Sequence, residues 1–395
     1  MPVSPPARLP RPKLYEDFMT DYSIGVIGCG NISSAYFRLG PSFRRLNFTA
    51  CADINPDAAK AQAEKFDLKP MSIEDLLADP SIDIVVNLTI PDAHFGVSKQ
   101  ILEAGKHAYS EKPFVLTLEE GEELRGLAEK HGLRVGSAPD TFLGGAHQQA
   151  RAHIDSGAAG TVTSGTAVVM GHGMEHWHPN PDFFFLPGAG PVLDLGPYYV
   201  TNLINLVGPI KRVGALTSMA QKTRIIKSEP RRGEELPVKT PTNIHALLEF
   251  QSGATITMLT SWDVWAHTHS NMELYGTGGS VYVPDPNFFG GTVEAGGGDQ
   301  APMAPLDAWE HPFGIPNEDH GPNKMANYRG AGLADMARAI DEGGPHRCSL
   351  EVALHAVDVM TSVLRSGDTG QFETLATTCD RPAPLTPDEA TALLR

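Results

Sequence analysis

Residues 24 to 33 constrain the fold more than any other stretch. An apolar run, Ile24, Val26 and Ile27, breaks at Gly28 and Gly30 and restarts as a helical pattern from Asn31 and Ile32. A buried strand that turns this tightly into a helix leaves backbone N–H groups pointing outward at the helix start, where they can hold a pyrophosphate. Gly28 allows the turn, Gly30 allows close approach of a phosphate, and Ser33 takes the third small position, where the helix packs on the strand. Phe48 to Asp53 then reads as a second buried strand ending on a carboxylate, about twenty residues after the turn. At that place an acid accepts hydrogen bonds from adenosine ribose hydroxyls and repels the extra phosphate of NADP, so Asp53 favours NAD. Asn55 with Pro56 behind it also makes a good helix start, which leaves a capping role open for the same aspartate.

Apolar strands alternating with helices continue through Ile82–Leu88, His107–Ser110 and Leu133–Gly136, the pattern of a parallel sheet wound on both faces. Beyond residue 141 the rhythm changes. A helix over 145–156 is followed by strand-rich stretches at Thr161–Met170, Ile244–Phe250, Ala254–Thr260 and Met272–Tyr275, which predict a mostly antiparallel sheet with one open face. Residues 284–325, rich in proline, glycine and asparagine, read as a long loop, and 331–342 and 350–365 as closing helices. The expected fold is therefore α/β: an extended arm over residues 1–21, a Rossmann dinucleotide-binding domain over 22–141, and an α+β domain over 142–395 with a largely antiparallel open sheet. That second domain is expected to bind substrate and to join copies into a homodimer or homotetramer.

The 395 residues carry a formal net charge of −16, which opposes nucleic acid and anionic membrane surfaces and points to a small-molecule ligand. The four cysteines form no Cys-x-x-Cys pair, the proline-rich start lacks the apolar core of a secretory signal, and no run is long enough for a transmembrane helix. A cytoplasmic enzyme is the expectation.

Glu111, Lys112 and Pro113 follow a short strand and fall at the carboxyl edge of the sheet, where open α/β folds bind ligands. Together with the glycine turn, Asp53, Pro91 with His94, and the stretch from Gly190 through Asp194 and Gly196 to Tyr198, they make the chain resemble the Gfo/Idh/MocA family of nicotinamide-dependent oxidoreductases. The resemblance implies NAD held by Gly28, Gly30, Asn31, Ile32, Asp53, Thr89, Pro91, His94, Glu111 and Lys112. It also implies that Lys112 is the active-site lysine, aimed by a cis peptide before Pro113. Beside a cationic nicotinamide and away from water, such a lysine is expected to have a lowered pKa. The family's Asp-x-Gly-x-His signature is met by Asp194 and Gly196, with Tyr198 in place of the histidine. Tyr198 then becomes the acid–base residue, its phenol eased toward working pH by the Lys112 cation, with Tyr199 as the rival aromatic. Asp140 falls where the family approaches nicotinamide and substrate, and is equally placed for a helix cap.

The stretch from His172 to Asp182 is too polar and aromatic for a linker. His176, Trp177 and His178 suit sugar recognition, the indole stacking on a pyranose while imidazoles bond its hydroxyls. A zinc or manganese site is set aside, because the glycines and prolines forbid a helix that would group His172 with His176. Arg329 can bind an anionic substituent such as a carboxylate or sulfonate. These parts suit an NAD-dependent sugar, glycoside or polyol dehydrogenase. They also suit a glycosidase working by transient oxidation and elimination, or a non-catalytic sensor.

Overall fold

The computed structural model describes residues 21–298 and 301–395, so all but the last residue of the expected N-terminal arm lies outside the described residues. The first lobe runs β1 (Tyr22–Ile27), α1 (Ser33–Leu39), β2 (Leu46–Ala52), α2 (Pro56–Phe66), β3 (Lys69–Met71), α3 (Ile73–Ala78), β4 (Ile84–Asn87), α4 (Pro91–Glu103), β5 (His107–Ser110), α5 (Leu118–His131) and β6 (Val135–Ser137). Its strands form a parallel sheet in the order β3-β2-β1-β4-β5-β6. The strands are apolar at successive positions because both faces are covered. Ile24, Val26, Ile84 and Val86 enter one core cluster, while Ile27, Val85 and Ala108 enter the other. Local chemistry sets the helix ends. Asn55 caps α2 by accepting from the Asp57 N–H, and Thr117 with Glu120 forms a capping box on α5, which Gly132 closes in the left-handed conformation.

The second lobe begins with α6 (Gly145–Asp155), β7 (Val162–Met170), α7 (Pro191–Asp194), α8 (Gly196–Val207), β8 (Ile210–Ser218), the small pair β9 (Thr223–Ile225) and β10 (Glu235–Pro237), β11 (Asn243–Phe250), β12 (Thr255–Ser261), β13 (Met272–Gly276) and β14 (Gly279–Val283). It continues through β15 (Glu294–Gly297), β16 (Ala301–Pro305), β17 (Glu318–His320), β18 (Asn323–Met325), α9 (Ala331–Glu342), α10 (Leu350–Thr369), β19 (Glu373–Thr374) and α11 (Pro387–Leu393). The large sheet has the order β16-β15-β14-β13-β7-β12-β11-β8-β19, antiparallel except where β7 runs parallel to β12. Along β11, buried Ile244, Ala246 and Leu248 alternate with exposed His245 and Leu247, so one sheet face packs under α8 and α10 and the other is open.

Residues 284–325 are not one long loop. They contain β15 to β18, because backbone pairing at Glu294–Gly297 and Ala301–Pro305 needs no apolar side chain. Nor does packing follow a cut at residue 142. Phe313, Leu333, Met336, Leu385 and Leu393 belong to the same core cluster as Ile24 and Val26. Helix α10 joins both lobes, with Leu350, Leu354 and Val357 on one face in the first lobe's core and Val352, Ala356, Val359 and Val363 on another in the second's.

Candidate active site

Gly28 has φ 103°, and a Cβ there would lie 2.5 Å from the carbonyl carbon of Leu88, so the β1 turn closes against the end of β4 only with glycine. At Gly30 nothing lies within 4 Å of such a Cβ, and Gly30 and Asn31 are exposed at the start of α1. This open backbone at a helix N-terminus fits a dinucleotide pyrophosphate. Asp53 holds the turn from the side: Oδ2 accepts from the Cys29 N–H at 2.7 Å, and Oδ1 accepts from the Asn55 N–H at 2.8 Å. Each oxygen keeps a lone pair for a ribose hydroxyl. Beyond Asp53 an open groove of about 800 Å³ runs past Ile54, Lys60, Lys69 and Met71. Ile54 is 93% exposed, and Ile90, at the end of β4, is 68% exposed. Two apolar side chains held in solvent at the rim of a nucleotide cleft suit an adenosine moiety. Sequence reading missed both, since an isoleucine next to a strand looks like core until its exposure is known.

At the carboxyl edge of β5 the Lys112–Pro113 peptide is cis. The Lys112 Nζ donates to Asp194 Oδ1 at 2.8 Å and to the Asp194 carbonyl at 2.7 Å, and sits 5.1 Å from the centre of the Tyr198 ring. Residues 82 apart in the chain thus meet because α7 and α8 start over the β5 edge. Burial pushes the lysine pKa down, but the Asp194 carboxylate, then Tyr198 and Glu111, outweigh it and hold the pKa above its ordinary value. Without a nicotinamide beside it, Lys112 is thus held in its charged form by the ion pair with Asp194.

Beneath this triad lies a buried polar floor. Glu111 Oε2 accepts from the Lys112 N–H at 2.9 Å, and its Oε1 accepts from the Tyr36 hydroxyl at 3.1 Å and from Arg329 Nη1 at 2.8 Å. Burial works against the Arg329 charge, and Glu111, Tyr198, Tyr36 and Asp140 more than restore it. Arg329 is thus paired through Nη1 with Glu111, which offsets its charge. Asp140 is fully buried, accepting through Oδ2 from the N–H groups of Gly330 (2.8 Å) and Gly332 (3.2 Å) at the start of α9. Burial raises its pKa, against the pull of Arg329 and the two amides. Its place is that of a helix anchor and not of a substrate contact.

Two further candidates, His94 and Tyr199, are also turned inward. His94 is buried with Nδ1 2.6 Å from the Pro113 carbonyl oxygen and Nε2 3.0 Å from that of Thr89, so it ties the end of β4 to the lysine segment and does not face a cofactor. Burial lowers its pKa, opposed by the two carbonyls. Tyr199 is fully buried, its hydroxyl donating to Asp285 and accepting from Asn271, whereas Tyr198 one residue earlier meets Lys112. Thr89 spends its hydroxyl on Asn87 Oδ1 at 2.7 Å, and Pro91 opens α4.

The 171–182 segment leads from β7 toward α7. Trp177 is 64% exposed, and His178 packs edge-on against Trp177, Phe183 and Phe184 while its Nδ1 accepts from the Asn180 N–H. His176 turns toward His172, their rings 4.9 Å apart. The expectation that glycines and prolines keep these two histidines apart is corrected. No helix is needed, because a turn in which Met174 O accepts from the N–H groups of Trp177 and His178 brings them together.

Comparison with known proteins agrees with this architecture. The family model described as oxidoreductase family, NAD-binding Rossmann fold, matches residues 22–138. The model of the GFO/IDH/MocA C-terminal domain matches residues 147–282. An uncharacterized oxidoreductase of Schizosaccharomyces pombe is 31% identical over 180 residues, which is 42% of this chain and 48% of that protein. The chain thus spans under half the length of that curated relative. The dTDP-3,4-didehydro-2,6-dideoxy-alpha-D-glucose 3-reductase of Saccharopolyspora spinosa is 28% identical over 267 residues, 66% of this chain and 74% of that one. Among solved structures, levoglucosan dehydrogenase in complex with NADH and L-sorbose superposes with a TM-score of 0.77 at 21% identity, covering 91% of this chain and 100% of that one, a likeness of fold.

Proposed function

Because the chain belongs to the Gfo/Idh/MocA family of NAD-dependent oxidoreductases, we propose that it moves a hydride between nicotinamide and a secondary hydroxyl carbon of a sugar, glycoside or cyclic polyol. Relatives named for sugars support the substrate class: the spinosa reductase, and a D-xylose dehydrogenase of Paenarthrobacter nicotinovorans 27% identical over 157 residues, 38% of this chain and 40% of that one. The observation that carries the reading is the meeting of Lys112, Asp194 and Tyr198 at the edge of the cofactor sheet.

NAD, when bound, supplies the hydride acceptor. Gly28, Gly30, Asn31 and Ile32 cradle its pyrophosphate, and Asp53 takes the ribose hydroxyls. The Tyr198 oxygen, as phenolate, would receive the proton of the substrate hydroxyl during oxidation and, as phenol, return it during reduction. Lys112, kept charged by Asp194, stabilises negative charge on that phenol or on the substrate oxygen in a site partly closed to water. Glu111 and Arg329 position the lysine segment from below, and the exposed Trp177 ring offers a stacking face for a pyranose.

The test is steady-state oxidation with NAD and a panel of sugars, inositols and glycosides. Lys112→Met and Tyr198→Phe should each lower kcat by about 10²–10⁴-fold while NAD affinity stays within a few-fold. Full turnover in both variants refutes the assignment. Aglycone release without net NADH from a glycoside would identify the redox-assisted hydrolase instead.

A further inference from the structure

We propose that His172, Glu175 and His176 form a binding site for a zinc-type divalent cation, separate from the nicotinamide site. The three residues bring one ligand atom each within 4.8 Å of one another. In the same three side chains His172 Nδ1, Glu175 Oε2 and His176 Nε2 are each buried without a hydrogen-bond partner. A protein seldom leaves one such atom unsatisfied, since the lost hydration costs free energy, and three converging together point to a shared ligand. Glu175 is 3% exposed, so its free carboxylate oxygen has no recourse to bulk water.

The donor set selects the ion. Two imidazole nitrogens and one carboxylate oxygen suit zinc or cobalt, whereas magnesium and calcium prefer oxygen alone. Ligand atoms on one tetrahedral zinc lie about 3.4 Å apart, as bonds of about 2.1 Å require. Three protein ligands leave the fourth position to water. The surroundings hold the ligands in place. Arg224 donates from Nη1 to Glu175 Oε1 at 2.7 Å, the oxygen that lies 3.8 Å from His176 Nε2, and its own charge is also met by Asp263. Trp265 stacks on the His172 ring, fixing its plane. Glu175 and Asp263 balance the charges of Arg224 and of Lys227, whose Nζ lies 5.2 Å from the centre of the Trp265 ring, so a divalent cation does not enter a site of net positive charge. Bound there, the ion pins the turn that carries Trp177 and leads toward α7.

The experiment uses the full chain, dialysed against chelator and titrated with Zn²⁺ by calorimetry and with Co²⁺ by visible absorption. One Zn²⁺ per chain should bind, Co²⁺ should give the ligand-field bands of a four-coordinate site, and Zn²⁺ should raise Tm. His172→Gln, His176→Gln and Glu175→Gln should each weaken binding by about tenfold or more. NAD titration checks that each variant is folded, and His172→Gln, which removes neither partner of the Arg224 ion pairs and keeps the His172 carbonyl that accepts from Arg224 Nη1, keeps the test sound if Glu175→Gln is not. Absence of Zn²⁺ binding by the wild-type chain, or binding equal in wild type and His172→Gln, overturns the proposal.

Discussion

Arg329→Leu should destabilise the chain by about 3 kcal/mol, because it strands the Glu111 carboxylate beneath the site. The two side chains meet at 2.8 Å with 13% and 9% of their surface exposed, so solvent screens the pair little and cannot replace the lost guanidinium. Tyr36 and the Lys112 N–H would remain as donors to Glu111, which sets the loss near the lower end of the range for a broken buried pair. Glu111→Gln in the same background removes the stranded charge, so the double variant should be more stable than the sum of the single losses by about 1–3 kcal/mol. Urea unfolding followed by circular dichroism, with m values compared across the four proteins, measures both quantities. Catalysis should suffer too, since a lysine segment displaced by about 1 Å can cost about 10²-fold in kcat. A loss under about 1 kcal/mol for Arg329→Leu, with additive single effects, would refute a closed floor coupled to Lys112.

Acid lability should begin near pH 6.5. Burial holds His147 at about 4 against 6.5 unfolded, so the unfolded chain takes up the proton first as pH falls. The stability involved, about 3 kcal/mol, is whole above pH 6.5 and is lost as pH drops toward 4. Urea unfolding from pH 7.5 to 4 should show a shallower pH slope in His147→Gln, and identical slopes would contradict the assignment. Gly28→Ala should weaken NAD at least about tenfold, since the new methyl meets the Leu88 backbone at a positive φ; unchanged affinity in a fluorescence titration would speak against the turn as the pyrophosphate cradle.

The parallel sheet was legible because its strands are covered on both faces and so stay apolar at successive positions, as in Ile84 to Val86. Lys112, Asp194 and Tyr198 were legible because short motifs carry them. What remained hidden was pairing over long distances. The bond from Arg329 to Glu111 spans 218 residues, and nothing in either neighbourhood announces that the arginine faces inward. Asp140 and His94 were misread for a related reason: a polar residue at the end of a strand can face the ligand or support it from behind, and only burial separates the two. Residues 284–325 misled through composition, because β15 and β16 are held by backbone hydrogen bonds between glycine- and proline-rich segments. The His172 and His176 rings converge through a turn, which carries no periodicity for a sequence to display.

Helix α10 lends one side of itself to each hydrophobic cluster, while the Leu393 carbonyl accepts from the Arg44 N–H, Leu394 bridges to Phe43 and the Arg395 N–H donates to the Ser42 carbonyl. The two lobes therefore share a spine and a clasp. Loosening either end therefore disturbs the packing of both lobes at once.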